Sequence, residues 1–365
     1  MDIVLAGGDI RTSVQRVGDR RGDMERGRHR TMEEFAKASG ISRPTVSKYF
    51  EDPRSVRPSM RERIEAALRQ SDYQPNIYAR NLNRKRTKNI GIVVPQTTDP
   101  FYAELVTRLD QHCRAANYWP IVVSAHGTSD GEAEAYDLMF AVKAAGVIVT
   151  PLEKRSSEKL GALIASDVPL VYCDLAPDDQ APAVRNDNLQ SIATMVSYLC
   201  RTGSAPAYLD GPIVSANTIE RKQAYARTME SLGHEPIFLG RSRPGSKTHE
   251  SFAYETLLDV LDSGPLPATT ILCSSDRVAQ GALAASFARR VSVGKRKSAA
   301  LRIAGHDDIP ISRYMTPPLT TMAQDIDAIA AESIRLLLDM IAGKVSPGAA
   351  LGVDLPATLM IRQSA

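Results

Sequence analysis

An α/β fold is predicted for this sequence, with a small N-terminal helix-turn-helix head followed by a two-lobed, doubly wound body. Three observations predict it. Two short amphipathic helices meet at a glycine, positive charge is concentrated in the first quarter of the chain, and apolar runs alternate with helical segments in the rest. At 365 residues the chain is long enough for three domains.

The head begins with a helix-capping pattern. Thr31 precedes a glutamate by three residues, which is the capping-box spacing, and apolar residues then recur at helical spacing as far as Gly40. Ser42 can cap a second helix, and Pro44 falls in its first turn, where the missing N–H costs little. Two such helices joined by a tight glycine turn are typical of a helix-turn-helix, and a third helix over 58–70 closes its core.

Charge is distributed unevenly along the chain. Between Arg26 and Lys88 there are 16 lysines and arginines against 7 aspartates and glutamates, and the body that follows carries a net negative charge. A basic module joined to an acidic body is the pattern expected of a nucleic-acid-binding domain attached to another function. A solvated charged face remains the alternative interpretation of the charge taken alone.

Seven apolar runs bounded by turn residues follow the head. They cover 90–95, 119–124, 146–150, 169–173, 207–209, 270–273 and 301–304. Helical segments separate these runs, so we predict buried parallel strands, divided between two lobes because the body is too long for one core. Ligands of such sheets bind beyond the carboxyl ends of the strands. The candidate binding loops therefore follow Val94, Val149, Cys173, Leu209, Ser274 and Gly305.

Several other function classes lack their characteristic residues. The N-terminus is unlike a secretory signal, and no apolar stretch is long enough for a membrane span. The six histidines form no metal-binding pair, and Ser246 stands where a phosphate loop needs lysine. The widely spaced cysteines favour reduced thiols over disulfides or zinc; they are Cys113, Cys173, Cys200 and Cys273. We therefore predict a cytoplasmic protein without a metal or a cofactor.

Motifs along the chain together point to a family. They lie at 40–48 in the head, at 73–82 in the hinge, and at 99–102, 210–212, 221, 275–281, 305–308 and 317–321 in the body. In this order they resemble the LacI/GalR family of bacterial transcriptional regulators. The resemblance implies a periplasmic-binding-protein-like body and a homodimer bound to a pseudo-palindromic double-stranded DNA operator. It also implies a small effector, a sugar or sugar derivative, held between the lobes.

This interpretation divides the chain into five parts. They are a disordered leader at 1–28, the helix-turn-helix domain at 29–74, a hinge helix and linker at 75–88, an effector-binding N-subdomain at 89–187 plus 322–350, and a C-subdomain at 188–321 plus 351–365.

The resemblance also assigns residues to DNA. Base contacts fall on Arg43, Pro44, Lys48, Asn76, Ala79 and Leu82, and phosphate contacts on Thr31, Ser42, Thr45, Ser47 and Arg80. Arg43 and Lys48 can donate to guanine O6 and N7 in the major groove, whereas Pro44 departs from the polar residue of many relatives and offers only an apolar contact. Leu82 would wedge into the minor groove and kink the duplex.

For the effector, the resemblance assigns six residues: Phe101, Asp174, Asp187, Arg221, Asp276 and Asp307. An aromatic ring stacks on the apolar face of a sugar, and charged groups can each satisfy two hydroxyls in a desolvated cleft. Ser275 and His306 stand where relatives often carry asparagine and tyrosine, so the identity of the ligand is not inherited.

The sequence leaves two other functions open. A solute-binding protein for sugar uptake would share the body, although it would carry a signal peptide and no head. An α/β enzyme would need a nucleophile, a base and an orienting group, which no motif brings together. The sequence leaves open whether the effector releases or promotes DNA binding, and it favours a dimer over a tetramer.

Overall fold

The computed structural model describes residues 31–73, 87–150, 158–175, 181–212, 216–240, 248–346 and 351–365. The chain divides into two compact units, Met1–Lys85 and Arg86–Ala365. The predicted leader, and the predicted hinge helix up to residue 86, lie outside the described residues.

The first unit contains the three predicted helices. They are α1 (Met32–Ser39), α2 (Arg43–Glu51) and α3 (Pro58–Arg69), with a short 3-10 helix at Pro53–Ser55. Thr31 Oγ1 caps the start of α1 by accepting a hydrogen bond from Glu34 N–H at 3.2 Å. Gly40 ends α1 with a left-handed φ of 64°, a backbone conformation that residues with a side chain rarely adopt. Ser42 caps α2 by accepting from Thr45 N–H at 3.4 Å. Local sequence signals therefore set both ends of the turn.

A single apolar cluster holds these helices together. Its buried members are Phe35, Ala36, Ile41, Val46, Val56, Ile64 and Tyr73. Phe35 stacks on Tyr73 with ring centroids 4.9 Å apart, so the segment after α3 is anchored to α1. Val46 is fully buried at the centre of α2, which fixes the opposite face of that helix toward solvent.

The first lobe of the second unit is a six-stranded sheet with helices on both faces. Its strands are β1 (Asn89–Val94), β2 (Trp119–Ser124), β3 (Gly146–Val149), β4 (Leu170–Cys173), β5 (Ala183–Asn186) and β11 (Gly352–Leu355). The strand order is β11-β5-β4-β3-β1-β2, and every pair is parallel. The covering helices are α4 (Pro100–Ala115), α5 (Ser129–Ala141), α6 (Glu158–Ala165) and α11 (Ile326–Ile341).

The second lobe repeats this plan. Its strands are β6 (Ala207–Leu209), β7 (Phe238–Leu239), β8 (Thr270–Cys273), β9 (Arg302–Asp307), β10 (Thr320–Ala323) and β12 (Thr358–Met360), in the order β12-β10-β9-β8-β6-β7. Only β12 runs antiparallel among the strands described. The helices are α7 (Asn188–Thr202), α8 (Ala216–Ser231), α9 (His249–Asp262) and α10 (Asp276–Ala288).

Within the described residues the chain crosses between the lobes three times: after β5, after β10 and after β11. The predicted subdomain boundaries are therefore wrong in two places. Strand β11 pairs with β5 in the first sheet, although we assigned 351–365 as a whole to the C-subdomain. Strand β10 lies in the second sheet to Ala323, two residues beyond the expected boundary. The β11 error arose because Gly352–Leu355 is short and partly polar, so nothing in its pattern says which sheet it joins.

All seven predicted apolar runs form strands. The strands that the sequence analysis missed are β5, β7, β10, β11 and β12, which are two to four residues long and most of which carry polar side chains. Such segments are ordered by the neighbouring strand that pairs with them rather than by their own apolar pattern.

Two helical glycines provide a matched test of how closely the helices pack. A Cβ on Gly281 of α10 would lie 2.2 Å from the backbone oxygen of Glu250 in α9, whereas a Cβ on Gly161 of α6 would meet nothing within 4 Å. We expect Gly281→Ala to lower the free energy of unfolding by about 1–3 kcal/mol through overpacking. Gly161→Ala should raise it by about 0.5–1 kcal/mol, because glycine loses more chain entropy on folding. Chemical denaturation measures both, and a stabilised Gly281→Ala protein would contradict this packing.

Candidate functional site

The exposed face of α2 carries the head residues assigned to DNA. Arg43, Pro44, Ser47 and Lys48 are exposed, and so are Thr31 and Ser42 in front of their helices, while Thr45 is partly buried. The two capping hydroxyls accept backbone N–H groups, and Ser42 Oγ also lies 2.8 Å from Thr45 Oγ1, where either hydroxyl can donate. This arrangement places a cation-bearing helix face outward, as a major-groove reader requires.

The hinge residues assigned to DNA are Asn76, Ala79, Arg80 and Leu82, and they lie outside the described residues. Their roles therefore stay predictions.

In the body, Arg221 of α8 lies at the centre of a buried polar cluster. Its Nε donates to Asn188 Oδ1 at 3.0 Å, and its Nη1 donates to the backbone oxygen of Ser274 at 3.1 Å. The same Nη1 lies 3.1 Å from Asp307 Oδ1. Arg221 thus joins the start of α7, the end of β8 and the end of β9. The sequence analysis placed Arg221 and Asp307 in one site, and the structure brings them into contact.

Asp307 is held as a carboxylate although it is buried. Its Oδ1 accepts from Arg221, from His306 Nδ1 at 3.0 Å and from Gln324 Nε2 at 2.8 Å. Burial opposes its charge, but Arg221, His306 and Gln324 outweigh burial, so the pKa of Asp307 is lowered. Its φ of 118° is a left-handed conformation that costs on the order of 1–3 kcal/mol in a side-chain-bearing residue. The unfavourable backbone conformation thus falls on the residue whose carboxylate contacts Arg221.

Behind Asp307, a serine and a histidine continue the network. Ser191 Oγ lies 2.9 Å from His306 Nε2, and burial together with Arg221 lowers the pKa of His306 to about 4. The ring is therefore neutral, donates through Nδ1 to the Asp307 carboxylate and accepts from Ser191 through Nε2. The order Ser–His–Asp matches a nucleophilic triad, but both Ser191 and His306 are 0% exposed, so no substrate carbonyl can reach Ser191 Oγ.

Asp174 contributes to the cluster from the first lobe. It follows β4 with φ of 58°, and its backbone oxygen accepts from Asn217 Nδ2 of the second lobe at 2.7 Å. Burial raises the pKa of its carboxyl to about 7, with Arg221 opposing that rise. Near neutral pH this group can therefore donate or accept a hydrogen bond. Asp174 thus lies close enough to Arg221 and Asp307 for their charges to act on its carboxyl.

The predicted aromatic residue, Phe101, is followed by a second aromatic residue, Tyr102. Phe101 is buried in the apolar core of the first lobe, where its ring meets Tyr102 edge to face at 5.2 Å. Tyr102 packs against the same core, and burial together with the nearby Asp174 and Asp99 charges raises its pKa well above the usual range. Packing in the core disfavours Phe101 as the stacking residue and makes Tyr102 a second candidate, because the sequence does not distinguish the directions of adjacent positions at the start of a helix.

Asp276 is also removed from the effector set. It is 0% exposed, and its carboxylate accepts from Ser312 Oγ and Thr321 Oγ1 at 2.5 Å and from Ile309 N–H at 3.0 Å. Both oxygens accept from the protein, so Asp276 ties the loop after β9 to β10 and presents no exposed oxygen to an effector. Burial raises its pKa to about 8, with the hydroxyl donors opposing that rise.

Asp187 has a structural role in this structure. Its carboxylate caps α7 by accepting from Gln190 N–H at 2.9 Å. The polar residues that sequence reasoning missed are Asn188, Asn217 and Gln324, which orient Arg221, Asp174 and Asp307. Asn188 follows β5 at the crossing between the lobes, and only the unrecognised strand could have revealed it.

Among the described residues, no group of three or more histidine, cysteine, aspartate or glutamate side chains is arranged to hold a metal ion. In the same part of the chain, no helix is both long enough and apolar enough to cross a membrane.

Comparisons with known proteins agree with this architecture. Residues 31–76 match the family model described as bacterial regulatory proteins, lacI family, and residues 207–365 match a periplasmic binding protein-like domain. The chain is 30% identical over 324 residues to the HTH-type transcriptional repressor CytR of Escherichia coli (strain K12), covering 86% of this chain and 90% of that protein. It is 26% identical over 317 residues to the HTH-type transcriptional repressor PurR of Actinobacillus pleuropneumoniae serotype 5b (strain L20), covering 85% and 91%.

A similar solved structure supports the fold. The crystal structure of the Lac repressor dimer bound to operator and the anti-inducer ONPF superposes with a TM-score of 0.77 at 24% identity, covering 92% of this chain and 98% of that one. The two parallel-sheet lobes and the N-terminal helix-turn-helix are therefore the architecture of that repressor.

The Asp276 contacts predict a stability effect. Asp276→Ala leaves Ser312, Thr321 and the Ile309 N–H without their acceptor, so we expect the free energy of unfolding to fall by about 3–5 kcal/mol. Asp276→Asn keeps an acceptor oxygen and should cost less. It should also remove a pH dependence: because the folded-state pKa is raised, the wild-type carboxyl stabilises the fold most at low pH and loses that stability as pH rises toward 8. Urea titrations at several pH values measure the free energy of unfolding of the wild type and both variants. Equal losses in Asp276→Ala and Asp276→Asn would contradict the role of Asp276 as a hydrogen-bond acceptor.

Proposed function

The chain belongs to the LacI family of bacterial regulatory proteins, and from this premise we propose that it represses transcription by binding an operator under the control of a small, sugar-like effector. The observation that carries the proposal is a single chain with two parts. A lacI-type helix-turn-helix with an exposed cationic face precedes a body in which Arg221 and Asp307 meet beside Asp174 of the other lobe. The protein then acts in the cytoplasm, where the chromosome lies.

At the DNA, the head reads bases and the hydroxyls set the register. Arg43 and Lys48 donate to guanine in the major groove, and Pro44 offers a contact to a thymine methyl group. Phosphate contacts come from Thr31, Ser42, Thr45, Ser47 and Arg80, which position the head without reading sequence. In the hinge, Asn76 and Ala79 lie against bases of the minor groove while Leu82 kinks the central step.

We propose that the repressor is a homodimer on a pseudo-palindromic operator. Large apolar side chains are exposed on the body, among them Trp119 on the edge strand β2 at 53% and Tyr314 after β9 at 73%. An unpaired edge strand and exposed aromatic residues are surfaces that a second copy can cover.

At the cleft, Arg221, Asp174 and Asp307 bind hydroxyl groups of the effector, and Tyr102 provides an aromatic surface beside them. Arg221 and Asp307 are already oriented by the buried network, so little rotamer entropy is lost when the effector binds. Neither alternative function is favoured. A solute-binding protein has no use for the head, and the buried Ser191 cannot act as a nucleophile, so we propose that the chain is not an enzyme.

Operator binding tests the function directly. Fluorescence anisotropy on fragments of the protein's own promoter, compared with random DNA at the same salt, should show specific binding. We expect Arg43→Gln to weaken specific binding by about 10–100-fold, the value of a bidentate base contact, with much less effect on random DNA. Arg69→Gln at the end of α3 removes the same charge and is the control. Equal losses on both DNAs would exclude base reading by Arg43, and no specific binding by the wild type would reject the function.

Effector control tests the cleft. A thermal-shift panel of sugars, sugar acids, sugar phosphates and polyols identifies a ligand, because binding raises the melting temperature. Arg221→Ala should lose this shift and the ligand's effect on operator affinity, yet bind the operator as the wild type does. Arg201→Ala on the exposed face of α7 is the control. A full ligand response in Arg221→Ala would refute the assignment of this residue.

A further inference from the structure

Away from the crossings, an ion pair connects the two lobes. Asp99 precedes α4 in the first lobe, and its Oδ2 accepts from Arg277 Nη1 of α10 in the second lobe at 2.7 Å. The side chains are 14% and 15% exposed, so the pair is largely shielded from water and from salt. The pair joins the two lobes at a point away from their crossings.

The sheet order places this pair far from the hinge. The three crossings leave from β5, β10 and β11, at one side of the two sheets, whereas Asp99 follows β1 and Arg277 follows β8. Strands lie about 4.8 Å apart, so β1 is roughly 14 Å from β5 and β8 roughly 10 Å from β10. A rotation of about 10° over that distance moves the two groups apart by roughly 2 Å, which breaks a hydrogen bond. The pair therefore fails before contacts near the crossings do.

A second ion pair between the lobes, Arg185–Glu220, lies close to the crossings. Arg185 of β5 donates through Nη1 to both carboxylate oxygens of Glu220 in α8, at 2.8 and 2.9 Å. Strand β5 is where the chain leaves the first lobe, so the same rotation moves this pair little. Arg185–Glu220 can persist in both arrangements, whereas Asp99–Arg277 can form only when the lobes are closed.

When the ion pair breaks, Asp99 and Arg277 each keep another hydrogen-bond partner. Arg277 also holds Glu250 of its own lobe through Nε at 2.6 Å and Nη2 at 2.9 Å, and Asp99 Oδ1 also accepts from Phe101 N–H at 2.9 Å. When the lobes separate, both groups keep these partners and water replaces the lost contact. The usual cost of breaking a buried pair, an unpaired buried charge, is avoided. Such a contact can form and break repeatedly.

We propose that Asp99 and Arg277 form a latch that holds the lobes of the ligand-free body closed. The effector-bound state lacks this ion pair, so the latch reduces the apparent affinity of the cleft by the fraction of ligand-free molecules that are open. A bound effector then replaces the ion pair with its own contacts to both lobes. The strength of this pair therefore sets the effector concentration at which the protein responds.

Distance measurements between the lobes test the latch in the full chain, without DNA and without a ligand, so the result is independent of the proposed function. Spin labels at Asp130→Cys in α5 and Gln280→Cys in α10, both exposed positions, report the distance by pulsed electron resonance. Cys200, the partly exposed cysteine, is replaced by serine, and unlabelled chain in excess keeps the measurement within one copy.

We expect Arg277→Gln and Asp99→Asn each to lengthen the mean distance by roughly 3 Å or more, the separation that takes an ion pair beyond hydrogen-bond range. The double variant should open no further than either single one. Asparagine still caps α4, so Asp99→Asn keeps the helix intact. Arg289→Gln, which breaks the exposed Arg289–Asp262 pair within the second lobe, should leave the distance unchanged. An unchanged distance in either latch variant, or the same lengthening in Arg289→Gln, overturns the proposal.

Discussion

The buried pair between Arg221 and Asp307 is the interaction on which the body's functional geometry depends. A guanidinium and a carboxylate cannot be buried without partners, and here Asn188, Gln324 and His306 supply them. These partners come from the start of α7, the crossing after β10 and the end of β9. Satisfying one pair of charges thus fixes segments that lie next to two of the three crossings, and it prepares a polar surface at the carboxyl ends of both sheets.

A second network of buried hydrogen bonds is centred on Asp276. Asp276 binds the Ser312 and Thr321 hydroxyls and the Ile309 backbone, and a Cβ on Gly305 would lie 2.2 Å from its carboxylate. The glycine that precedes His306 is therefore required by the close approach of Asp276. The motifs that sequence analysis read as one effector site divide into residues that face the cleft and residues that hold them in place.

The contacts that join the lobes lie at different distances from the crossings. Arg185–Glu220 lies beside the crossings, the Asn217 amide contacts the Asp174 backbone further along, and Asp99–Arg277 lies furthest from the hinge. A rotation about the crossings acts on them in order of distance. The proposed latch is therefore the contact that such a rotation breaks first, whereas Arg185–Glu220 changes least.

Much of this protein was determined by the sequence alone. Local patterns determine the three head helices, since Thr31, Gly40 and Ser42 act through neighbouring backbone groups, and continuous apolar runs determine the central strands because these are buried on both faces. The tertiary structure alone decided which polar groups meet Arg221, as with Asn188 and the Ser274 backbone oxygen. It also placed Gly352–Leu355 in the first sheet and enclosed Asp276. These outcomes depend on partners distant in the chain, such as β5 for β11 and Ser312 and Thr321 for Asp276, and spacing along the sequence carries no information about them.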